Sequence, residues 1–459
     1  MTSTGNLNRV EEGSAQLAAP ELGAEAVELL SSLLRIDTSN PPGNELPAQQ
    51  LLAEMLTSAG CECELLAASD SQRPNLVARL EGRIPGPTLC YLCHVDTVPA
   101  DPSEWSFDPW AGDVVDGEIR GRGAQDMKDQ VAAEAAACAS LARSGWRPEA
   151  GTLLFVCTAD EEMGANAGAK WLCETHPEKV RADMVVNEGG GVAFQHADRR
   201  LYPLAVGEKG VFRFLLRTLG RAGHASVPGL GDNALIKLAP LLERLREQPP
   251  PLATPAGVAF LEALFGEPLA ADGGALADGI ARLRRESPPL ATMLAEPILS
   301  ITLVPTQVSA SQKENVIPSR AQALIDCRVP PGMGEQDVRE TVERLLGPPV
   351  DSYELEFVEH VIGNDSPFHS PLADAIGAWV DANDPGATLA PIVMPGFSDS
   401  HWWRRAFGSE VTVYGFCPQR DMDAFQAASL VHSADERIKV ADVEYAARFF
   451  AELAPRVLV

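Results

Sequence analysis

Basic side chains are scarce in this chain of 459 residues, which has 37 Lys and Arg against 64 Asp and Glu and a net charge of −27. Nucleic acids and anionic membrane surfaces are bound through surplus positive charge, so we expect neither as a partner. Apolar runs long enough to span a bilayer are also missing from the sequence. The composition therefore predicts a soluble globular protein. Because acidic residues are so common in it, an acidic pair alone is weak evidence of function.

Cysteines are few, and their spacing has no repeating frame. Nine of them lie between Cys61 and Cys417, which favours reduced thiols in a cytoplasmic protein over a disulfide framework. Residues 1–20 have no basic start followed by an apolar run, so we expect no secretory signal. Cys90, Cys93 and His94 match the attachment motif of a c-type haem. The apolar run over residues 88–98 is typical of a buried strand instead, which argues against haem.

The length favours two domains, and the first part of the chain alternates helical and strand patterns. Helices are predicted over residues 24–34, 47–59, 128–143, 165–175 and 444–453, and strands over 75–80, 89–95, 152–158 and 184–186. Strands separated by helices are typical of a parallel or mixed sheet that helices cover on both faces. We therefore predict an α/β domain built from residues 1–206 and 363–459.

The pattern changes from residue 207 onward, where the order of elements becomes β-α-β-β-α-β. Strands are predicted over residues 211–218, 298–304, 322–328 and 353–358, and helices over 233–246 and 335–346. This order is that of a ferredoxin-like module. Prolines bracket two short amphipathic segments within residues 249–297, which we interpret as an insertion. The sequence thus predicts an inserted α+β domain over residues 207–362.

Metal-ligating side chains follow three predicted strands of the first domain. His94, Glu161 with Glu162, and Glu188 each lie where a strand ends, and ligands of open α/β sheets bind at the carboxyl ends of strands. Each has an ordinary alternative: His94 as a core histidine, the glutamates as helix caps, and Glu188 as part of a glycine turn. Their coincidence favours one shared site.

Two further residues complete the candidate set. Asp126 precedes the predicted helix at Lys128, where an N-cap is the ordinary reading, and His432 comes from the C-terminal segment. The run from Gly121 to Asp126 also approaches a dinucleotide-binding fingerprint, but it lacks the third glycine and no clear strand precedes it. Several carboxylates together would repel one another without bound cations, so the set predicts a site for two divalent metal ions.

Asp96 lies two residues after His94. If both belong to one strand, their side chains point to the same face, and Asp96 can hold the second ring nitrogen of His94.

These motifs resemble a known family, the dinuclear zinc hydrolases that include aminoacylase, carboxypeptidase G, acetylornithine deacetylase and succinyl-diaminopimelate desuccinylase. The resemblance covers nearly the whole chain and rests on the segments 94–99, 121–128 and 161–162, together with Glu188. It implies a zinc-peptidase-like α/β/α catalytic domain that is interrupted by a ferredoxin-like lid and dimerisation domain. It also implies a homodimer.

The resemblance implies metal roles residue by residue. His94 and Glu188 would bind one zinc ion, and Glu162 and His432 would bind the other. Asp126 would bridge both ions, often with a cis peptide bond to the next residue. Cobalt or manganese could replace zinc in such a mixed imidazole and carboxylate site.

The same resemblance implies roles beside the metals. Asp96 would orient His94, and Glu161 would be the general acid and base. His224, in the segment 222–226, would reach the partner subunit's active site and steady the oxyanion. The roles of Glu161 and His224 come from the family and not from the spacing of the residues.

Three residues match the substrate contacts of the family. Asn315 and Arg328 would hold the free carboxylate of the substrate, although Arg328 could instead form a surface ion pair with Asp326. His401 occupies a loop position at which relatives often carry arginine, so this chain departs from the family pattern there.

Together these features predict a zinc-dependent hydrolase. It would cleave an amide bond next to a free carboxylate, in an N-acyl amino acid or a short peptide. Desuccinylase or deacetylase activity competes with this reading within the family. A non-catalytic metal-binding or peptide-binding protein on the same scaffold is the alternative outside the enzymes.

Overall fold

The computed structural model describes residues 19–270, 273–349 and 352–459. The chain divides into two compact units, one of residues 19–194, 369–387 and 406–459, and one of residues 195–368 and 388–405. Within the described ranges, no helix combines the length and apolar character needed to cross a membrane.

The first unit is a mixed sheet with helices packed on it. Its strands are Glu62–Ala67, Pro74–Glu81, Ile84–His94, Asp113–Val115, Glu118–Arg120, Ala150–Thr158, Met184–Asn187, Thr412–Gly415 and Arg437–Lys439. Its helices are Ala19–Leu34, Leu46–Ala59, Lys128–Arg143, Ala169–Thr175, Pro177–Val180, Pro371–Asn383, Ala424–Leu430 and Val440–Val457, with 3-10 turns at Pro102–Glu104, Glu161–Met163 and Gly408–Glu410.

Parallel pairing in this sheet brings the ends of several strands together. The strand Ile84–His94 lies between Ala150–Thr158 and Met184–Asn187 and runs parallel to both, with His94 in register with Thr158. Thr412–Gly415 extends the parallel part beside Met184–Asn187. Side chains that follow these strands are therefore placed at one edge of the sheet.

The helix Lys128–Arg143 forms the centre of the helical packing in this unit. It is Ala-rich and almost wholly buried, and it packs against Ala19–Leu34 and Val440–Val457. Small side chains allow the three helices to approach one another closely, so the N-terminal end of this helix is held in place.

The second unit contains three sets of paired strands. Its strands are Phe194–His196, Arg199–Glu208, Gly210–Val211, Phe214–Leu219, Gly223–His224, Thr302–Ser309, Val316–Ile317, Arg320–Val329, Glu354–Phe357, Asn364–Asp365 and Thr388–Met394. Its helices are Ala234–Arg244, Pro255–Phe265, Gly273–Glu286, Pro288–Leu290, Glu296–Leu299, Glu335–Leu346 and Ser400–Phe407, with a 3-10 turn at Pro228–Leu230 and a π-helical turn at Ala291–Ala295.

Four strands of this unit form the predicted ferredoxin-like sheet. Glu354–Phe357 pairs with Phe214–Leu219, which pairs with Arg320–Val329, which pairs with Thr302–Ser309, all antiparallel. If these strands are numbered by their order along the chain, their order across the sheet is 4-1-3-2. The helices Ala234–Arg244 and Glu335–Leu346 lie in its two crossover connections. The α/β fold class with a second α+β module is thereby confirmed.

Two local predictions were wrong. The segment 298–304 was predicted as a strand, but Ile298 and Leu299 end the helix Glu296–Leu299 and the strand starts at Thr302. Both side chains are buried, and a short apolar run cannot by itself distinguish a buried helix from a strand.

A strand does precede Gly121, contrary to prediction. Glu118–Arg120 pairs antiparallel with Asp113–Val115 and with Arg437–Lys439 in a small separate sheet. The helix begins only at Lys128, so the segment still lacks the strand-turn-helix geometry of a dinucleotide-binding loop.

All nine cysteines lie among the described residues, and none forms a disulfide. Cys90 and Cys93 are fully buried within the strand Ile84–His94. A covalently attached haem could not reach thiols in this position, so the rejection of the haem motif holds.

Candidate metal centre

Three donor groups meet at the carboxyl ends of the parallel strands. His94 is the last residue of its strand, Glu161 opens the 3-10 turn beyond Ala150–Thr158, and Glu188 directly follows Met184–Asn187. One donor atom from each lies within 4.8 Å of the others. The parallel register thus brings together residues that are distant in sequence, as predicted.

A second group of donors combines the neighbour of Glu161 with residues from two other segments. Asp126, Glu162 and His432 each offer one donor atom within 4.8 Å of the other two. His432 has a left-handed backbone conformation, with φ of 60°, and its side chain is about half exposed. The structure therefore brings the C-terminal histidine to the carboxylates, as the sequence predicted.

The carboxylate of Asp126 faces both groups. Its Oδ1 atom lies 3.3 Å from Nε2 of His94, and its Oδ2 atom lies 3.1 Å from Nε2 of His432. Nε2 of His94 is 3.6 Å from Glu188, and Nε2 of His432 is 3.3 Å from Glu162. One oxygen directed to each histidine is the arrangement that a bridging carboxylate requires.

The donor set fits a pair of divalent cations. Nε2 of His94 is fully buried and makes no well-aligned hydrogen bond to the described residues, although carboxylate oxygens lie around it. A buried imidazole nitrogen without such a partner is costly unless a ligand satisfies it. Two imidazoles and several carboxylates are donors that zinc and similar metals prefer.

Electrostatics in the centre reflect this concentration of charge. Burial would lower the pKa of His94, but the neighbouring carboxylates of Asp126, Asp96 and Glu188 raise it well above its usual value. Hydrogen bonds with Asp126 and Glu162 raise the pKa of His432 to about 10. The surrounding carboxylates thus favour positive charge at both histidines, and divalent cations would supply positive charge at the same place.

Asp96 lies near His94, but not for the predicted reason. The strand ends at His94, so the two residues do not share a strand face. Nδ1 of His94 lies 3.0 Å from the backbone oxygen of Asp96 and 3.5 Å from its carboxylate. The Asp96 carboxylate accepts hydrogen bonds from the backbone N–H groups of Glu161 and Glu162, each at 3.2 Å. It therefore fixes the turn that carries both glutamates.

The peptide bond between Asp126 and Met127 is cis, as the family resemblance implied. Met127 and not Asp126 occupies the N-cap position of the helix Lys128–Arg143. The capping alternative for Asp126 is therefore not the arrangement observed.

Sequence reasoning missed Glu436, a fully buried carboxylate beside Asp126. It accepts hydrogen bonds from the guanidinium of Arg122 and from backbone N–H groups of residues 123, 125 and 126. Burial raises the pKa of Glu436 to about 7, although Arg122 and the backbone donors favour the anion. Among 64 acidic residues, only its position four residues after His432 could have drawn attention to it.

A second missed cluster supports the turn of Glu161 and Glu162. Asn40 donates from its side-chain amide to Asp96 at 2.9 Å and to Asp160 at 3.1 Å. Arg73 pairs with Asp160 at 3.0 Å and with the buried carboxylate of Glu45 at 2.7 Å. These contacts join chain segments that no local sequence pattern connects.

Two of the residues predicted in the second unit are neighbours. His224 pairs in register with Val316, and the backbone N–H of Ala225 donates to the backbone oxygen of Asn315 at 3.0 Å. Both His224 and Asn315 are exposed. Nδ1 of His224 contacts the hydroxyl of Ser226 at 2.7 Å, which leaves Nε2 available to a ligand.

Arg328 and His401 have their own partners. Nε of Arg328 donates to Asp326 at 2.8 Å, which is the ion pair named as the alternative. His401 is buried, and its Nδ1 atom accepts from the Asn364 amide at 3.1 Å. Burial lowers the pKa of His401 to about 4, so the ring is neutral near pH 7.

A fold and a donor set of this kind define a metal-dependent hydrolase, and the comparisons with known proteins agree. Residues 90–456 match the family described as peptidase family M20/M25/M40. The chain belongs to that family.

Known relatives differ in what they act on. The chain is similar to a succinyl-diaminopimelate desuccinylase of Rhodospirillum centenum, with 27% identity over 435 residues, covering 92% of this chain and 94% of that protein. Its fold is similar to an M20 family metallo-carboxypeptidase from Sulfolobus solfataricus, with a TM-score of 0.68, 17% identity, and coverage of 95% and 99%. A dinuclear metal binding M20 peptidase from Bacillus subtilis has a TM-score of 0.57, 14% identity, and coverage of 96% and 99%.

Proposed function

We propose that this protein is a dinuclear zinc hydrolase that cleaves an amide bond next to a free carboxylate, in an N-acyl amino acid or a short peptide. The observation that carries the proposal is the Asp126 carboxylate, with one oxygen directed to each of two histidines. Membership of a peptidase family and the dinuclear neighbour of known structure support the same conclusion.

In this proposal each metal position has its own ligands. His94 and Glu188 would hold one cation, Glu162 and His432 would hold the other, and Asp126 would contribute to both. Bound cations of this kind acidify a water molecule and polarise the scissile carbonyl. Zinc suits this mixed set of nitrogen and oxygen donors, and cobalt or manganese could substitute.

Glu161 is the proposed general base and acid. Its carboxylate lies 3.9 Å from Nε2 of His94, beside the first metal position. It accepts the proton of the attacking water and passes it to the leaving nitrogen. Asp96 positions it by accepting the hydrogen bond of the Glu161 backbone N–H group.

Recognition of the substrate carboxylate is assigned to the second unit. The planar guanidinium of Arg328 suits a carboxylate, and the exposed amide of Asn315 adds a neutral donor. We assign His401 the role of a neutral hydrogen-bonding group, because its lowered pKa keeps the ring uncharged. An arginine at this position would be positively charged. His224 would steady the oxyanion.

Desuccinylation is the second candidate function. The relative from Rhodospirillum centenum spans nearly the whole chain and carries that activity in its name. An N-succinyl amino acid also has a free carboxylate beside the amide, so the same residues could serve both reactions.

We also propose a homodimer formed through the domain of residues 207–362, with 1–206 and 363–459 as the catalytic domain. The strand Thr302–Ser309 lies at the edge of its sheet and exposes Val304 and Val308. Exposed apolar edge strands readily pair with another chain. A cytoplasmic location completes the proposal, supported by nine cysteines without disulfides.

Hydrolysis assays on a matched substrate panel test this function. The zinc-loaded protein would be incubated with N-acetyl and N-succinyl amino acids, N-succinyl-diaminopimelate and dipeptides, each with and without its free carboxylate. We expect hydrolysis of at least one class, lost when the carboxylate is amidated. If the protein binds two zinc ions but hydrolyses none, the non-catalytic metal-binding reading replaces the proposal.

A further inference from the structure

Glu436 connects two ligand-bearing segments with a single carboxylate. Its Oε2 atom accepts from Arg122 at 2.6 Å and from the backbone N–H of Gly123 at 3.0 Å. Its Oε1 atom accepts from the backbone N–H groups of Gln125 at 2.6 Å and of Asp126 at 3.1 Å. The loop that ends in Asp126 is thus wrapped around this one side chain.

The backbone of Glu436 strengthens the same connection. Its carbonyl oxygen accepts from the N–H of Gly121 at 3.0 Å, and the next residue, Arg437, pairs in register with Arg120. Glu436 also lies only four residues after His432 in the chain. The distance between Asp126 and His432 is therefore set through Glu436 and not through their own contacts alone.

We propose that Glu436 is a positioning residue that assembles the second metal position, formed by Asp126, Glu162 and His432. The inference rests on the proposed dinuclear function and deepens it. Two of these three ligands lie on the segments that Glu436 joins. The first position shares Asp126, but its other two proposed ligands, His94 and Glu188, lie at strand ends that Glu436 does not contact in the described residues.

Charge and hydrogen-bonding capacity explain why residue 436 needs to carry a carboxylate. Four donors converge on two oxygens, and only an anionic group accepts all of them. A glutamine would direct its own N–H groups at backbone N–H groups or at the guanidinium. The loop would then relax, and Asp126 would move away from His432. Groups that orient metal ligands are commonly worth about 10- to 100-fold in metal affinity.

Metal titration of the Glu436→Gln variant tests the proposal without any substrate. Metal-free wild-type protein and variant would be titrated with Zn²⁺ by calorimetry, and with Co²⁺ while recording its visible absorption. We expect two ions per wild-type chain. In the variant the ion at the second position should bind about 10- to 100-fold more weakly. The ion at the first position keeps His94 and Glu188 undisturbed and should lose clearly less affinity. Glu436→Asp, which keeps the charge, should recover part of the lost affinity.

Asp442→Asn is the matched control. Asp442 is also a buried carboxylate, and it accepts from the backbone N–H groups of Arg420, Asp421 and Met422 at 2.6 to 2.8 Å. None of those three residues is a proposed ligand, so the control should lose stability while binding both ions normally. If Glu436→Gln fails to fold, Arg122→Met is a milder change that removes one donor to Glu436. It should weaken chiefly the ion at the second position.

The outcomes separate this inference from the proposed function. Wild-type binding of both ions by Glu436→Gln, or equal weakening of both ions in a folded variant, would overturn the positioning role alone. Fewer than two ions in wild type would overturn the positioning role and the dinuclear function together. Two ions in wild type without hydrolysis of any substrate would overturn only the function.

Discussion

The two compact units place their predicted residues in contrasting ways. In the first unit, side chains with possible metal-donor atoms, from segments more than 300 residues apart, meet around Asp126. In the second unit, Arg328 pairs with its sequence neighbour Asp326, and His401 contacts Asn364. Convergence of distant side chains is strong evidence for a shared task, whereas a local ion pair is compatible with packing alone.

The largest expected effect concerns Glu161, which lies in the first unit among the converging donor side chains. Glu161→Gln removes the proton acceptor, so kcat should fall by about 10³-fold, within the range for general acid and base groups. Metal content measured by mass spectrometry should stay at two ions per chain. The exposed Glu178, changed to Gln, is the control and should leave kcat unchanged. Substantial turnover by Glu161→Gln would remove its assigned role.

Mixing two inactive variants tests whether His224 acts in the active site of a second copy of the chain. Glu161→Gln and His224→Ala should each be inactive, but a mixed dimer would contain one intact site. Random pairing should then restore about a quarter of wild-type activity if the protein is a symmetric dimer. Light scattering would verify the dimer. A dimer that recovers nothing would show that His224 does not act across subunits.

Arg328 offers a direct test of the contrast between the units. If it binds the substrate carboxylate, Arg328→Met should raise KM by about 100-fold with kcat and metal content little changed. Arg213→Met is the control, because Arg213 pairs with the same Asp326 at 2.8 Å. An unchanged KM would leave Arg328 as a partly exposed ion pair, worth no more than about 1 kcal/mol of stability.

The smallest effect is a pH dependence of stability that arises from His401. Its pKa falls from 6.5 to about 4 on folding, because burial disfavours the charged ring and Arg405 and Arg404 add to this. Below pH 6.5 the unfolded chain binds a proton that the folded chain does not, so stability falls between pH 6.5 and about 4. The loss is about 3 kcal/mol at most.

Replacing His401 with Asn tests this effect by urea unfolding across the same pH range. Asparagine keeps an acceptor for the Asn364 amide but does not titrate. The pH dependence of the midpoint should be shallower in the variant than in wild type. Parallel pH profiles for the two proteins would show that the ring does not remain neutral in the fold.

The metal centre was predictable because three of its groups follow strands. The apolar runs that end near His94, Thr158 and Asn187 fix the strands, and parallel pairing then fixes where their ends meet. The order of elements likewise predicted the ferredoxin-like sheet. Family resemblance, and not spacing, supplied the roles of Asp126 and His432.

The remaining features depend on tertiary contacts that leave no local pattern. Glu436 and Asn40 act through hydrogen bonds between loops, and neither belongs to a periodic segment. The helix at Glu296–Leu299 was mistaken for a strand because four residues are too few to show a helical period. Buried polar residues in an acidic chain are therefore found only once the fold is known.

The central claim is that one carboxylate, that of Asp126, is shared by two metal ions. Anomalous diffraction from crystals of the zinc-loaded protein, recorded at the zinc edge, measures this directly. We expect two peaks on either side of the Asp126 carboxylate, about 3.5 to 4 Å apart, one beside His94 and one beside His432. A single peak, or two peaks that both lie away from Asp126, would contradict the account.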